Sequence, residues 1–168
     1  RRDYPQLSTS EPTPSTGDLG LMVNVDLPLD IGIPISYVPD QHTRLSLYRR
    51  LADTRSESEL DALRDEFRDR FGPLPAAVEN LFFQMQVKLR AEAAGLASVS
   101  VESGQIVLRY PPRPEDAPPR PLPSLEPLAR SGKNAYWMPF DPTDAQWRER
   151  LLDLLERLSQ FEQLPKPS

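Results

Sequence analysis

The chain has 168 residues, enough for one ordinary domain with a single core, and a net charge of −5 with acidic and basic residues mixed along the sequence. It has no cysteine, which excludes disulfides, thiolate zinc sites and a cysteine nucleophile and makes the cytoplasm the expected location. A nucleic-acid backbone asks for a concentrated positive footprint, and a membrane span or signal peptide asks for a long apolar run; neither pattern is present in the sequence.

Residues 1–19 open with Arg-Arg-Asp and no initiator methionine, so the sequence reads as a piece of a longer protein. They are polar, rich in Ser, Thr and Pro and without periodicity, the composition of a flexible linker. Residues 20–163 read as one domain. Leu21, Val23, Val25 and Leu27 alternate with Met22, Asn24 and Asp26, which predicts a half-buried strand with its core face on the odd numbers. Pro28, Pro34 and Pro39 hold the following residues in an extended path without a regular ladder.

Asp40 is placed to cap a first helix whose apolar residues are Leu45, Tyr48 and Leu51. A break at Asp53–Arg55 precedes Ser56 and Glu59, an S-x-x-E capping box in which each side chain satisfies a free backbone donor of the other. The second helix puts Leu60, Leu63, Phe67 and Phe71 on one narrow apolar stripe. Gly72 and Pro73 stop it, so the two helices form an αα-hairpin. Pro75 opens a third helix to about Ala94, with Val78, Leu81, Phe82, Met85, Leu89 and Ala93 on a broad apolar face.

Val99–Val101 and Ile106–Tyr110 read as short strands around a Ser103-Gly104 turn. Pro111–Pro127 carries eight prolines and reads as a loop, with a short helix near Leu125–Arg130. Ala135–Met138 is a further strand. Thr143 to Gln146 is a second capping-box pattern, opening a last helix with Trp147, Leu151, Leu154, Leu155, Leu158 and Phe161 on one face. Residues 164–168 are a frayed tail. The predicted fold class is α+β, a small mixed sheet packed against a layer of about four helices and entered through the αα-hairpin.

Few residues offer catalytic chemistry. His42, the one histidine, sits at a helix start and reads as a solvated side chain with no nucleophile to activate. Asp61, Asp65 and Glu66 each have an arginine three or four residues on, at 64, 68 and 70, so helix-surface ion pairing accounts for them. Seven glycines are scattered singly and make no phosphate-binding loop. The expectation is a domain without catalytic residues, metal or cofactor. An alternative is a single-stranded nucleic-acid module in which Arg109, Arg113, Arg120, Arg130 and Lys133 interleave with Tyr110, Tyr136 and Trp137. The favoured reading of those aromatics is that they close the core under the last helix.

An interaction surface is the remaining reading. At about 100° per residue, the stripe on the second helix leaves Glu59, Ala62, Glu66, Asp69 and Arg70 together on one flank. Ala62 makes that flank flat, and the charges make it specific.

The sequence of motifs in this region resembles one family. Arg44-Leu45 with Tyr48-Arg49-Arg50-Leu51, then Ser56-Glu57 with Glu59-Leu60, then Glu66 with Asp69-Arg70-Phe71-Gly72 and Leu74-Pro75 resembles the C-terminal domain of bacterial transcription-repair coupling factors. Val25-Asp26-Leu27-Pro28, Ile33-Pro34 and Tyr37-Val38-Pro39-Asp40 extend the likeness upstream; it continues to Gly95 and fades after about Tyr110. From Tyr110 to Phe140 the sequence departs from the family pattern, and no part resembles the family's ATPase motor. The resemblance implies a regulatory domain, monomeric on its own, that restrains a DNA translocase. It would pack on the parent's UvrB-like N-terminal module and hide the surface that binds UvrA. Glu66, Asp69 and Arg70 fall on the family's E-x-x-D-R positions. The resemblance further implies that the parent uses ATP and Mg, binds double-stranded DNA, displaces stalled RNA polymerase and recruits excision repair.

Overall fold

Apolar residues on alternate positions open the described part of the chain as a short strand. The computed structural model describes residues 23–163. Its elements are β1 (Asn24–Asp26), α1 (Gln41–Ala52), α2 (Glu57–Phe71), α3 (Ala76–Ala93), β2 (Ser98–Glu102), β3 (Gln105–Arg109), β4 (Arg130–Ser131), β5 (Ala135–Pro139) and α4 (Trp147–Gln163). Four helices and a five-stranded mixed sheet make the fold α+β, as expected. The predicted linker at 1–19, Leu21 and Met22 of the first strand, and the predicted tail at 164–168 lie outside the described residues. Among the described residues no helix is long and apolar enough to cross a membrane.

The chain groups into two compact units, one built from residues 30–85 and one from 23–29 with 86–163. In the first unit the Asp40 carboxylate caps α1 by accepting from the Thr43 N–H at 2.8 Å. The buried residues of α1 are Leu47, Leu51 and Ala52, whereas Leu45 is 40% exposed. The expected apolar face was therefore placed off by part of a turn. Leu47 and Leu51 stand four apart on one face, and Tyr48 turns to the flank to accept the Ile33 N–H at 2.7 Å.

Ser56 caps α2 through the Glu59 N–H at 3.2 Å. The reciprocal half of the box is displaced by one residue, because the Glu59 carboxylate accepts from the Arg55 N–H at 2.9 Å. Leu60, Leu63 and Phe67 are buried, and Phe67 is fully so. Its ring meets Phe82 of α3 edge-on at 5.1 Å and Phe71 at 6.2 Å. α2 ends at Gly72, whose φ of +94° suits a residue without a Cβ and whose N–H returns to Arg68 O. The Tyr37 hydroxyl lies 2.7 Å from Gly72 O and 3.2 Å from Phe67 O, so it ties the segment before α1 to the end of α2.

The second unit holds the sheet, in the order β1-β2-β3-β5-β4. β1 runs parallel to β2, with Val25 beside Val99, and the other pairs are antiparallel. β3 is central, and Ile106, Val107 and Leu108 are buried on both of its faces. Ser103 and Gly104 both take positive φ in the β2–β3 hairpin, as its two-residue loop requires. Trp147, Leu151, Leu154, Leu155 and Leu158 form the buried face of α4, and Trp147 packs edge-on against Phe140.

Four expectations fail in this unit. Ala93 and Phe161 lie outside the core, and Ala91 and Ala94 are buried in place of the former. Thr143 does not cap α4: the Asp144 carboxylate accepts from the Gln146 N–H and pairs with Arg150, so the helix begins at Trp147. The segment 125–130 is a tight turn closed by a Leu125–Ala129 bridge and not a helix, with both of those residues buried. β4, two residues long, is too short to leave a periodic signal.

Phe67→Ala removes an aromatic ring from a filled core and should cost about 3–5 kcal/mol in urea unfolding, whereas exposed Leu45→Ala should stay within about 0.5 kcal/mol. Near-equal costs would show that the stripe on α2 is not the core face.

Candidate functional site

Burial of Leu60, Leu63 and Phe67 leaves the flank of α2 beside Leu63 facing solvent. Glu59, Ala62, Asp69 and Arg70 are exposed there, and Glu66 is partly covered, so the structure brings together all five residues of the expected flank. Glu66 is its centre. Its carboxylate accepts a bidentate pair from Arg50 of α1 at 2.6 and 2.7 Å and a further bond from Arg70 one turn along at 3.1 Å. The Arg50 bond, with Arg70 added, lowers the Glu66 pKa from 4.5 to about 2.

Arg50 was absent from the predicted site. It comes from another helix, 16 residues away, and a single-helix wheel cannot reach it. In the structure, Leu47 and Leu51 facing inward put Arg50 on the flank of α1 that turns toward α2, a rotation that the apolar spacing of α1 left open. Arg50 of α1, Asp53 and Thr54 of the α1–α2 turn, and Glu59, Ala62, Leu63 and Glu66 of α2 line a groove of about 380 Å³, open to solvent. Its base is apolar at buried Leu63, and its rim is charged.

The other ion pairs on α2 differ in part from expectation. Arg68 with Asp65 and Arg70 with Glu66 pair within the helix as the spacing predicts. Arg64 instead reaches Glu79 of α3, and its guanidinium lies 5.0 Å from the Phe82 ring centre. His42 is exposed on the first turn of α1. Its neighbour Asp40 is engaged by the Thr43 hydroxyl and N–H, which lower the Asp40 pKa, so this carboxylate serves the helix cap. Among the described residues no cluster of three or more His, Asp or Glu is arranged to hold a metal ion.

The basic and aromatic residues between 109 and 137 are arranged as structure. Tyr136 is fully buried and donates to Pro123 O at 2.5 Å. Tyr110 is buried too, which pushes its pKa up to about 12. Arg120 covers the Tyr110 ring at 4.5 Å, Arg130 lies 5.6 Å from the Trp137 ring centre, and Arg109 pairs with Glu102. Arg113 and Lys133 are exposed. Stacking platforms for unpaired bases need open ring faces, and Tyr110 and Tyr136 do not offer them.

The TRCF domain family matches residues 27–120. The chain is 32% identical over 110 residues to the transcription-repair-coupling factor of Mycobacterium bovis, a match covering 66% of the chain and 9% of that protein. To the transcription-repair-coupling factor of Escherichia coli K12 it is 34% identical over 84 residues, covering 49% of the chain and 7% of that protein. A crystal structure of the C-terminal domain of transcription-repair coupling factor superposes with a TM-score of 0.64 at 16% identity, covering 84% of this chain and 96% of that one. The chain thus spans under a tenth of the length of these two relatives, and its fold covers almost all of that terminal domain.

The lowered pKa of Glu66 carries a pH dependence with a definite sign. Its pairing stabilises the fold while the carboxylate is charged, so the contribution is present above the unfolded pKa and lost as pH falls from about 5 toward about 2. Because the Glu66 side chain is 34% exposed, solvent limits that contribution to about 1 kcal/mol. Glu66→Gln should lose more stability at pH 6 than at pH 3, and little at pH 2, relative to the parent chain in paired urea titrations. The other lowered carboxylates are common to both proteins and cancel. Equal losses at the two pH values would mean that the charge of Glu66 is not what its partners hold.

Proposed function

The chain belongs to the TRCF domain family, which matches more than half of its length, and from that premise we propose that it is a non-catalytic regulatory domain of a transcription-repair coupling factor. In this reading it docks on the UvrB-like N-terminal module of its parent through Glu59, Ala62, Glu66, Asp69 and Arg70. Docking hides the surface that binds UvrA and restrains the ATP-driven translocase. Release lets the parent displace stalled RNA polymerase and recruit excision repair.

One observation carries the proposal: a flat, charged helix flank is held in fixed geometry by a bond from a second helix. Arg50 fixes the Glu66 carboxylate before any partner arrives. A preordered side chain loses less conformational entropy on binding, so the same contacts yield more affinity. Ala62 at the middle of the flank lets a partner surface come close to the helix.

The test is to add this chain to its parent protein lacking it, following binding and ATPase rate. Binding accompanied by a fall in ATPase rate is expected. With Glu66, Asp69 and Arg70 all changed to alanine, the isolated fold should lose no more than about 1 kcal/mol, since these are surface pairs. Docking should weaken by a factor of about 30 or more, because charges truncated at the centre of an interface typically cost roughly 2 kcal/mol each. Unchanged docking by the triple variant would move the surface elsewhere. An ATPase rate insensitive to the added chain would overturn the regulatory role.

A further inference from the structure

The groove beside the flank has a charge surplus that its own ion pairs do not absorb. Four ionisable residues line it: Arg50, Asp53, Glu59 and Glu66. Glu66 and Arg50 neutralise each other through two hydrogen bonds, which leaves Asp53 and Glu59 as the excess, both exposed. The Glu59 carboxylate takes a backbone N–H from Arg55, and Asp53 ends α1 through its own backbone. The rest of the groove lining is uncharged, formed by Thr54, Ala62 and Leu63. Thr54 and Leu63 are buried, so the base of the groove is fixed, while Ala62 is exposed.

We propose that this groove receives a long basic side chain, arginine or lysine, from the docking partner, with its methylenes on Ala62 and Leu63 and its charge between Asp53 and Glu59. The inference rests on the docking reading given above and extends the surface to Asp53, Thr54 and Leu63. Arginine and lysine are the side chains that join an apolar stem to a cationic head, which is the order of surfaces this groove presents. An acidic or purely apolar side chain would meet unpaired carboxylates on the rim and be disfavoured. The groove is open along its length, whereas sites for small molecules enclose most of their ligand, so a side chain presented by a protein surface fits it better. Glu66, locked by Arg50, acts as a wall and leaves Asp53 and Glu59, which no cation of the groove lining pairs, to set the preference for a cation.

The double variant Asp53→Asn, Glu59→Gln tests this with little change of shape, and the glutamine keeps an acceptor for the Arg55 N–H. Two measurements are made on the full chain. In the first, isotope-labelled chain is titrated with the peptide acetyl-Leu-Arg-Leu-amide and with the matching acetyl-Leu-Glu-Leu-amide, following backbone amide shifts. The arginine peptide should shift Asp53, Thr54, Glu59, Ala62 and Leu63, the glutamate peptide should not, and the double variant should abolish the response. No localised shift, or the same response to both peptides, overturns the proposal. In the second, the double variant is bound to the parent protein lacking this domain. A loss of tenfold or more that shrinks at high salt supports the groove. Undiminished binding overturns it and removes Glu59 from the docking surface, while leaving the docking reading standing on Ala62, Glu66, Asp69 and Arg70. If the unaltered chain fails to bind the parent at all, the docking reading fails, and the peptide titration alone decides whether the groove takes a basic side chain.

Discussion

Rotation of α2 about its axis decides which of its side chains face solvent, and Phe67 sets that rotation. Its ring is fully buried with its edge contacts on Phe82 and Phe71, so it cannot turn out without opening a cavity the size of a phenyl group. Leu63 and Leu60 fix the same direction one and two turns earlier. The end of the helix is fixed as well. The Gly72 N–H returns to Arg68 O and the Tyr37 hydroxyl reaches Gly72 O and Phe67 O, so the last turn is tied both within the helix and to the chain before α1. Every statement about the exposed flank depends on this anchoring, because a rotation of one residue would carry Glu66 toward the core and Ala62 away from the flank.

Electrostatics then refines what packing has set. Glu66 meets Arg50 of α1, and Arg64 meets Glu79 of α3, so α2 is tied by charge to the helix on either side in sequence. These pairs are partly exposed and add little to stability. Their effect is geometric: a guanidinium and a carboxylate joined by two hydrogen bonds allow only a narrow range of positions. The hairpin therefore presents a flank whose central charge is already oriented, and the orientation comes from two helices acting together.

Legibility in the sequence followed the range of each signal. Local signals were readable. Asp40 and Ser56 cap the helices they were expected to cap, Gly72 stops α2, and the Ser103-Gly104 turn joins the strands it was expected to join. The flank was readable too, because a stripe as narrow as Leu60, Leu63 and Phe67 leaves one possible rotation. α1 was not, since Leu45 and Leu47 both fit an apolar spacing with Leu51 and only packing chose Leu47. Contacts distant in sequence left no trace. The Arg50–Glu66 bond, the Arg64–Glu79 bond and the tie from Tyr136 to Pro123 each require two segments to be placed first. The short helix expected near Leu125–Arg130 failed for a local reason: Pro127 sits inside the segment, and the chain instead turns back on itself through one Leu125–Ala129 bridge that buries both residues.

The arrangement also bears on how strongly such a surface would hold a partner. A regulatory contact must form and release, so its coupling free energy is modest, typically 1–3 kcal/mol. Glu66, with its charge already answered by Arg50 and Arg70, offers a partner cation less than a bare carboxylate would. Arg70 is likewise shared, lying 4.8 Å from the Phe71 ring centre while bonded to Glu66. A surface built this way fixes register through shape and ordered charge, and its attraction is limited because those charges are satisfied before docking. Asp53 and Glu59, whose charges no groove-lining cation answers, are then where net attraction can arise. In the docking reading proposed above, specificity and strength would be carried by different residues: the clamped centre would fix where the partner sits, and the surplus carboxylates on the rim would determine how long it stays.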